Sequence, residues 1–246
     1  MILRSLLAAA TFTASLPAAA LLIRADREDA EYLELATRYA ASLRLPAPAG
    51  EGVLVGARWV LTAAAPAELL REIKPTPPIT VGGREHEIAS IHSDGFLALL
   101  YLASPVTSVR PIPVFRGPDE AGRLVAVVAH GPSGKQGTAA PPAIRDGRRR
   151  AGINTVDVVA ERTFVVRVKP GDEASDLQGA LAPGEIGAGA YIASPEGDLF
   201  VAGIALSTEG GRETYARLSR RMQWIEDTML EVATREAEKL LGSGSE

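Results

Sequence analysis

The chain contains no cysteine among its 246 residues. This absence excludes disulfides, thiolate metal sites and cysteine nucleophiles, so stability must come from packing and hydrogen bonds. Histidine is scarce too, and because the three histidines share no helical spacing, we expect no metal site. A positive excess is also lacking: the formal net charge of −4 gives no reason to expect a nucleic-acid partner. Nucleotide-binding glycine motifs and tandem repeats are missing, and we expect no cofactor.

The N-terminus has the pattern of a secretory signal peptide. Residues 1–4 carry a positive charge, residues 6–16 are apolar, and residues 17–20 (Pro-Ala-Ala-Ala) offer a cleavage site. The pattern predicts cleavage after Ala20, and hence a secreted or periplasmic protein with no stable membrane insertion. An uncleaved anchor is the alternative, because residues 5–23 are almost long enough to span a bilayer.

The rest of the chain has the composition of a folded globular protein, with 46% hydrophobic and 23% charged residues. Short β-rich runs alternate with glycine and proline turns. The runs 53–55 and 59–61 predict a hairpin, and residues 219–241 predict a helix with one apolar face. Further strands are predicted at 79–81, 86–91, 124–129, 154–159, 163–168, 190–193 and 199–205, and short helical pieces at 29–43 and 68–73. This pattern is typical of an all-β barrel protein.

Residues 50–65, Gly-Glu-Gly-Val-Leu-Val-Gly-Ala-Arg-Trp-Val-Leu-Thr-Ala-Ala-Ala, resemble the first-barrel motif of the trypsin-like serine proteases, which ends in the catalytic histidine. Further similar stretches are 92–113 (the aspartate segment), 148–154 (a run of bacterial members), 181–192 (the nucleophile loop) and 214–225 (the closing strand and helix entry). The resemblance covers about residues 21–230 and implies a bacterial secreted member with two antiparallel six-stranded β-barrels. The implied divisions are a signal peptide (1–20), an N-terminal barrel (21–115), a C-terminal barrel (116–218), and a C-terminal helix with tail (219–246).

In this alignment the catalytic histidine, aspartate and serine of the family fall on Ala65, Phe96 and Ile186. None of these side chains can act as a base, an orienting acid or a nucleophile. Asp94 is not expected to substitute, because a shift of two residues moves a side chain by roughly 7 Å along a strand. Gly184 remains where the family supplies one N–H of the oxyanion hole.

These losses predict a degenerate triad and hence a pseudoprotease, a non-catalytic module that binds an unknown protein or peptide ligand. The alternative is a serine-type endopeptidase or hydrolase of the same family that uses unrecognised residues. Ala180 stands six residues before Ile186, where trypsin-like members place a specificity carboxylate, so no pocket for basic side chains is implied.

The remaining polar candidates have structural interpretations. We expect His86, His92 and His130 to fill structural or surface roles. The arginines at 148–150 could bind an acidic partner or a polyanion, and the alternative is a solvated loop.

Two expectations concern packing at the triad positions. The first is that Phe96 and Ile186 close over Ala65 as a dry apolar cluster, because an unfilled imidazole-sized cavity would cost stability. Its alternative is a Phe96 side chain that lies open in the cleft as a ligand-binding surface. The second expectation is that Glu185 pairs with the amine released near Ile23 by signal cleavage, its alternative being a Glu185 side chain in solvent.

Overall fold

The computed structural model describes residues 21–131, 133–136 and 146–242, so the predicted signal segment lies outside the described residues. The strands are Leu22–Ile23 (β1), Ser42–Arg44 (β2), Glu51–Gly56 (β3), Trp59–Ala63 (β4), Ile79–Val81 (β5), Arg84–His86 (β6), Ile88–Asp94 (β7), Leu97–Leu102 (β8), Leu124–His130 (β9), Gly134–Lys135 (β10), Arg149–Val159 (β11), Thr163–Arg167 (β12), Gly179–Ala180 (β13), Gly189–Ala193 (β14), Leu199–Glu209 (β15) and Arg212–Arg217 (β16). The α-helices are Asp29–Ala36 (α1), Ala64–Glu72 (α2) and Met222–Gly242 (α3).

The C-terminal half forms a closed six-stranded barrel in the order β11-β12-β16-β15-β14-β9, as predicted. Successive side chains of a strand point to opposite faces, and β9 uses both. Its Val125 and Val127 pack in the barrel interior with Phe164 and Tyr215, whose rings stack at a centroid distance of 5.1 Å. Val128, on the other face, packs in the core of the N-terminal half. Strand β9 therefore separates two hydrophobic cores.

The N-terminal half forms a five-stranded sheet in the order β2-β3-β4-β8-β7, with β5 and β6 as a separate hairpin. The closed six-stranded barrel predicted for this half is therefore not seen among the described strands. The three-residue strands β5 and β6 pair only with each other, which leaves the sheet open. The predicted hairpin is confirmed as β3 and β4, and β4 and β8 are buried along their whole lengths.

The C-terminal helix begins after a 3₁₀ turn at Leu218–Arg220, close to its predicted start. Ile225 and Val232 are buried against the N-terminal core, whereas Leu230, Leu240 and Leu241 are exposed. The apolar face of α3 is therefore used only over its first turns. No helix in the described ranges combines the length and apolarity that crossing a membrane requires.

Strand β1 lies between two short strands of the C-terminal half. It pairs in parallel with β10 and antiparallel with β13, so that Leu22 lies opposite both Gly134 and Ala180. Leu21 and Ile23 are buried in the core of the C-terminal barrel. The start of the described chain is thereby built into the half that is furthest from it in sequence.

Candidate functional site

The three predicted triad positions approach the carboxyl end of β4. Ala65 lies in the first turn of α2, and the neighbouring Ala64 N–H donates to the Phe96 carbonyl oxygen at 2.8 Å. The Ile186 carbonyl accepts from the Glu51 N–H at 2.9 Å, which ties the nucleophile-loop segment to β3. A Cβ on the next residue, Gly187, would overlap the Thr62 hydroxyl, so only glycine allows this close approach.

The predicted dry cluster over Ala65 is wrong. Phe96 is 40% exposed, Ala65 is also exposed, and only Ile186 is half-buried, against the N-terminal core. Phe96 follows Gly95, whose positive φ of 62° makes the tight turn between β7 and β8. Because Phe96 lies in this turn, its ring lies outside the sheet. The space of a missing imidazole is therefore open to solvent and needs no filling.

The exposed Phe96 ring has a basic neighbour, Arg162, which also lines a cavity with other arginines. The Arg162 guanidinium carbon lies 5.2 Å from the centre of the Phe96 ring, within the range of a cation–π contact. Asp94 is held by Arg221, which contacts both its carboxylate and its carbonyl oxygen at 3.0 Å. Arg162, Arg220, Arg221 and Glu161 line a cavity of about 490 Å³. We call this surface the Phe96 platform, defined by Phe96, Arg162, Arg220 and Arg221.

Gly184, the predicted remnant of the oxyanion hole, has a backbone conformation that favours glycine. It is exposed and has a φ of +99°, a conformation that glycine adopts without strain. In the described part of the chain, neither its backbone N–H nor that of Ile186 donates to a protein acceptor. These donors could hold an oxyanion, but Ala65 and Ile186 supply no base or nucleophile beside them.

Glu185 lies in the interior, so the alternative of a solvent-facing side chain is wrong. It is 3% exposed, and its Oε2 accepts from the Ala182 N–H at 2.9 Å. Its Oε1 has no partner among the described residues. Burial raises the pKa of Glu185 well above its usual value, and the Leu21 backbone N–H, which faces the carboxyl group, lowers it. This nitrogen is the one that cleavage after Ala20 would convert into an amine.

The structure contains a buried carboxyl–imidazole pair, Glu51 and His130, that the sequence did not predict. The Glu51 carboxyl accepts from the His130 backbone N–H at 3.0 Å and contacts Nδ1 of the same residue at 2.8 Å. Burial raises the pKa of Glu51 and lowers that of His130 to about 3. The two residues come from different halves of the molecule and carry no shared motif. His86 contacts the Ser104 hydroxyl at 3.1 Å, and His92 contacts the Ser90 hydroxyl at 2.9 Å.

A further buried carboxyl, Glu213, lies beside Ala180. Glu213 accepts from the Leu181 N–H and from the Tyr215 hydroxyl, both at 2.5 Å. Burial raises its pKa to about 7. It stands on β16, far in sequence from Ala180, and it faces the interior of the barrel.

The arginines at 148–150 are not a solvated loop. Arg149 and Arg150 open β11, and Arg150 is fully buried. Its guanidinium contacts Asp29 at 2.6 and 2.8 Å and Asp146 at 2.9 and 3.0 Å. Of the three, only Arg148 is exposed, so the cluster does not form a continuous basic surface. Within the described ranges no three His, Asp or Glu residues are grouped as a metal site would require.

Solved structures of trypsin-fold proteins resemble this chain. The crystal structure of a scabies mite inactivated protease paralogue matches with a TM-score of 0.52 and 18% identity over 74% of this chain and 88% of that one. A mutant of human heparin binding protein matches with a TM-score of 0.57 and 19% identity over 76% of this chain and 90% of that one. No protein-family profile matches, and no curated protein is significantly similar in sequence. The closed barrel, the C-terminal helix and these two neighbours together identify the chymotrypsin-like fold.

Proposed function

We propose that the chain is a secreted or periplasmic pseudoprotease, a non-catalytic protein that binds a protein or peptide ligand. The observation that carries the proposal is the set of side chains at the predicted triad positions, Ala65, Phe96 and Ile186. A serine protease without its triad keeps only ~10³–10⁴-fold acceleration over water. One of the structural neighbours is likewise titled an inactivated protease paralogue. The proposal includes no nucleic-acid partner and no stable membrane insertion.

The Phe96 platform is the ligand surface that we favour. An exposed aromatic ring in contact with Arg162, which lines a cavity with Arg220, Arg221 and one acidic residue, Glu161, suits a partner segment that carries an apolar residue and acidic residues. Asp94 neutralises Arg221, whereas Arg162 and Arg220 make no ion pair within the described chain. Two guanidinium groups thus remain for an acidic partner.

The absence of catalysis is tested by measuring casein and peptide-ester turnover by the mature chain and its labelling by a serine-directed phosphonate. We expect both at background. The triple variant Ala65→His, Phe96→Asp, Ile186→Ser restores the three groups, and we expect it to gain phosphonate labelling at position 186. The matched control carries Ile186→Ala instead. Turnover by the wild type that co-purifies with the protein and survives Ile186→Ala would support the hydrolase alternative and end the proposal.

The ligand surface is tested by placing a photoreactive amino acid at position 96 in the producing cell. The control carries it at position 124, where Leu124 is 62% exposed on the other half. We expect one discrete cross-linked species from position 96 that is lost with Arg162→Glu. Equal cross-linking from both positions would refute this surface.

A further inference from the structure

A second cavity contains unpaired positive charge. It has a volume of about 520 Å³, the size range of small-molecule sites, and is lined by residues of β2, the following loop, β5, β9 and β11. Among the described residues, its charged side chains are Arg44 and Arg149, and none that lines it is acidic. His130 also lines it, as well as a smaller adjoining cavity of about 270 Å³. The cavity shares no residue with the predicted triad or the Phe96 platform.

Arg149 is fixed in place without a counter-ion. Its Nε donates to the Ala36 carbonyl at 3.0 Å, and its Nη1 lies 3.4 and 3.5 Å from the carbonyl oxygens of Ala40 and Ser42. Within the described chain its Nη2 donates to no acceptor, and no carboxylate pairs with it. Burial lowers its pKa, which means that the charged form is poorly compensated. A half-buried guanidinium of this kind gains most from an anion that binds in the cavity.

Arg44 adds a second guanidinium group to the cavity, one that is less constrained by protein contacts than that of Arg149. It is exposed, and in the described ranges it forms no ion pair and no side-chain hydrogen bond. Residues 44 and 149 come from strands of different halves, so the fold rather than a local motif brings the two charges to one cavity.

His130 supplies a neutral donor. Because burial favours the protonated carboxyl of Glu51, that carboxyl can donate to Nδ1, and the imidazole then carries its own proton on Nε2. In the described chain Nε2 has no partner. A ligand oxygen in the cavity could therefore accept from Nε2–H as well as from the two guanidinium groups.

We propose that this cavity binds a small molecule that carries a phosphate or a carboxylate group, held by Arg44 and Arg149 with His130 as a hydrogen-bond donor. The inference goes beyond the proposed function and is independent of it, because it needs neither the loss of the triad nor a partner at Phe96.

The proposal is tested by isothermal titration calorimetry of the mature chain with inorganic phosphate and, separately, with succinate, at constant ionic strength set with sodium chloride. We expect saturable one-site binding of at least one of these probes. Binding of phosphate alone identifies a phosphorylated ligand, and binding of succinate alone identifies a carboxylate. Arg44→Gln should weaken binding about tenfold or more, since a charge-assisted hydrogen bond is lost. The control Arg212→Gln removes an exposed arginine on β16 and should change nothing.

The ¹⁵N resonances of the His130 ring give a second readout that does not require a variant at Arg149, which also anchors the backbone. We expect the Nε2 signal to shift with the same saturation curve as the heat. Two results would overturn the proposal: no saturable binding of either probe, or binding that is equally strong in Arg44→Gln and leaves the His130 signals unmoved.

Discussion

Phe96 lies in the turn between β7 and β8 with its ring partly in solvent and partly against Arg162. A side chain in this position keeps 40% of its surface exposed, so its ring is available for contact with a ligand.

We predict that Phe96→Ala lowers the free energy of unfolding by less than about 1 kcal/mol, as surface substitutions do. Phe164→Ala is the control, because Phe164 is fully buried and stacked on Tyr215, and it should cost about 3–5 kcal/mol. Urea titration of both variants measures the difference. Similar losses in the two variants would show that Phe96 is packed in the native state.

The burial of individual side chains was the property of the site that the sequence predicted least well. Alignment placed Ala65, Phe96 and Ile186 at one end of β4, but apolar identity did not determine whether Phe96 lay in a core or a turn. The Glu51–His130 pair was invisible because neither residue belongs to a spacing motif. Only the closeness of β2, β3 and β9 in space brings them together.

At the scale of single elements, ion pairs attach helix α1 to the barrel. Its first residue, Asp29, receives two hydrogen bonds from Arg150 of β11, and Asp146 receives two more from the same guanidinium. Tyr32 of α1 reaches the Gln178 carbonyl at 3.0 Å and is fully buried. The helix is thus held at two points by the C-terminal half, although it precedes the N-terminal sheet in sequence.

We predict that Arg150→Gln destabilises the protein by about 3–5 kcal/mol, because it leaves two carboxylates without their buried partner. Amide hydrogen exchange should increase first in α1, since this helix loses its attachment. Arg148→Gln, at an exposed neighbouring position, should cost less than about 0.5 kcal/mol. Unchanged exchange in α1 of the Arg150 variant would contradict this role.

Elements with a strong local pattern were predicted well. The hairpin of β3 and β4, the barrel strands and α3 all carry a repeated spacing of apolar residues, and each appears close to its expected position. Strand β1 was missed because two residues carry no periodicity, and its pairing depends on loops in the other half. The predicted closure of the N-terminal barrel failed for a similar reason, since closure depends on pairing between distant strands.

At the scale of the whole molecule, buried carboxyls should set the dependence of stability on pH. The folded pKa of Glu213 is about 7, and that of Glu51 is also raised by burial. A carboxyl with a raised folded pKa contributes stability that is complete below the unfolded value and is lost as pH rises through the folded value. His130, whose pKa is lowered to about 3, has the opposite effect, because its contribution is lost as pH falls below about 6.5.

We therefore predict that the free energy of unfolding rises when pH is lowered from 8 to 6.5. Protonation of His130 in the unfolded state, which lowers the free energy of unfolding, becomes important only below this range. Glu213→Gln should show a smaller rise and should be more stable than the wild type at pH 8, by about 1–2 kcal/mol. Urea titrations of both proteins across this range measure the effect. A wild type that becomes less stable from pH 8 to 6.5 would show that these carboxyls are ionised in the folded state.

The second whole-molecule prediction concerns the N-terminus beside Glu185. A chain that begins at Leu21 should be more stable than one with a Gly-Ser extension, by about 1.5–3 kcal/mol, because its free amine can pair with the buried carboxyl. In Glu185→Gln the two forms should unfold alike. Equal urea midpoints for the two wild-type forms would show that the amine does not pair with the Glu185 carboxyl.

The position of β1 between β10 and β13 also sets an order of events during synthesis. Both partners lie in the second half of the chain, so β1 has nothing to pair with until that half has been made. The segment around residue 20 consequently emerges, and passes any peptidase, before its own place in the fold exists. Removal of the leader that we predict for residues 1–20 can thus precede the pairing of β1 with its two partners.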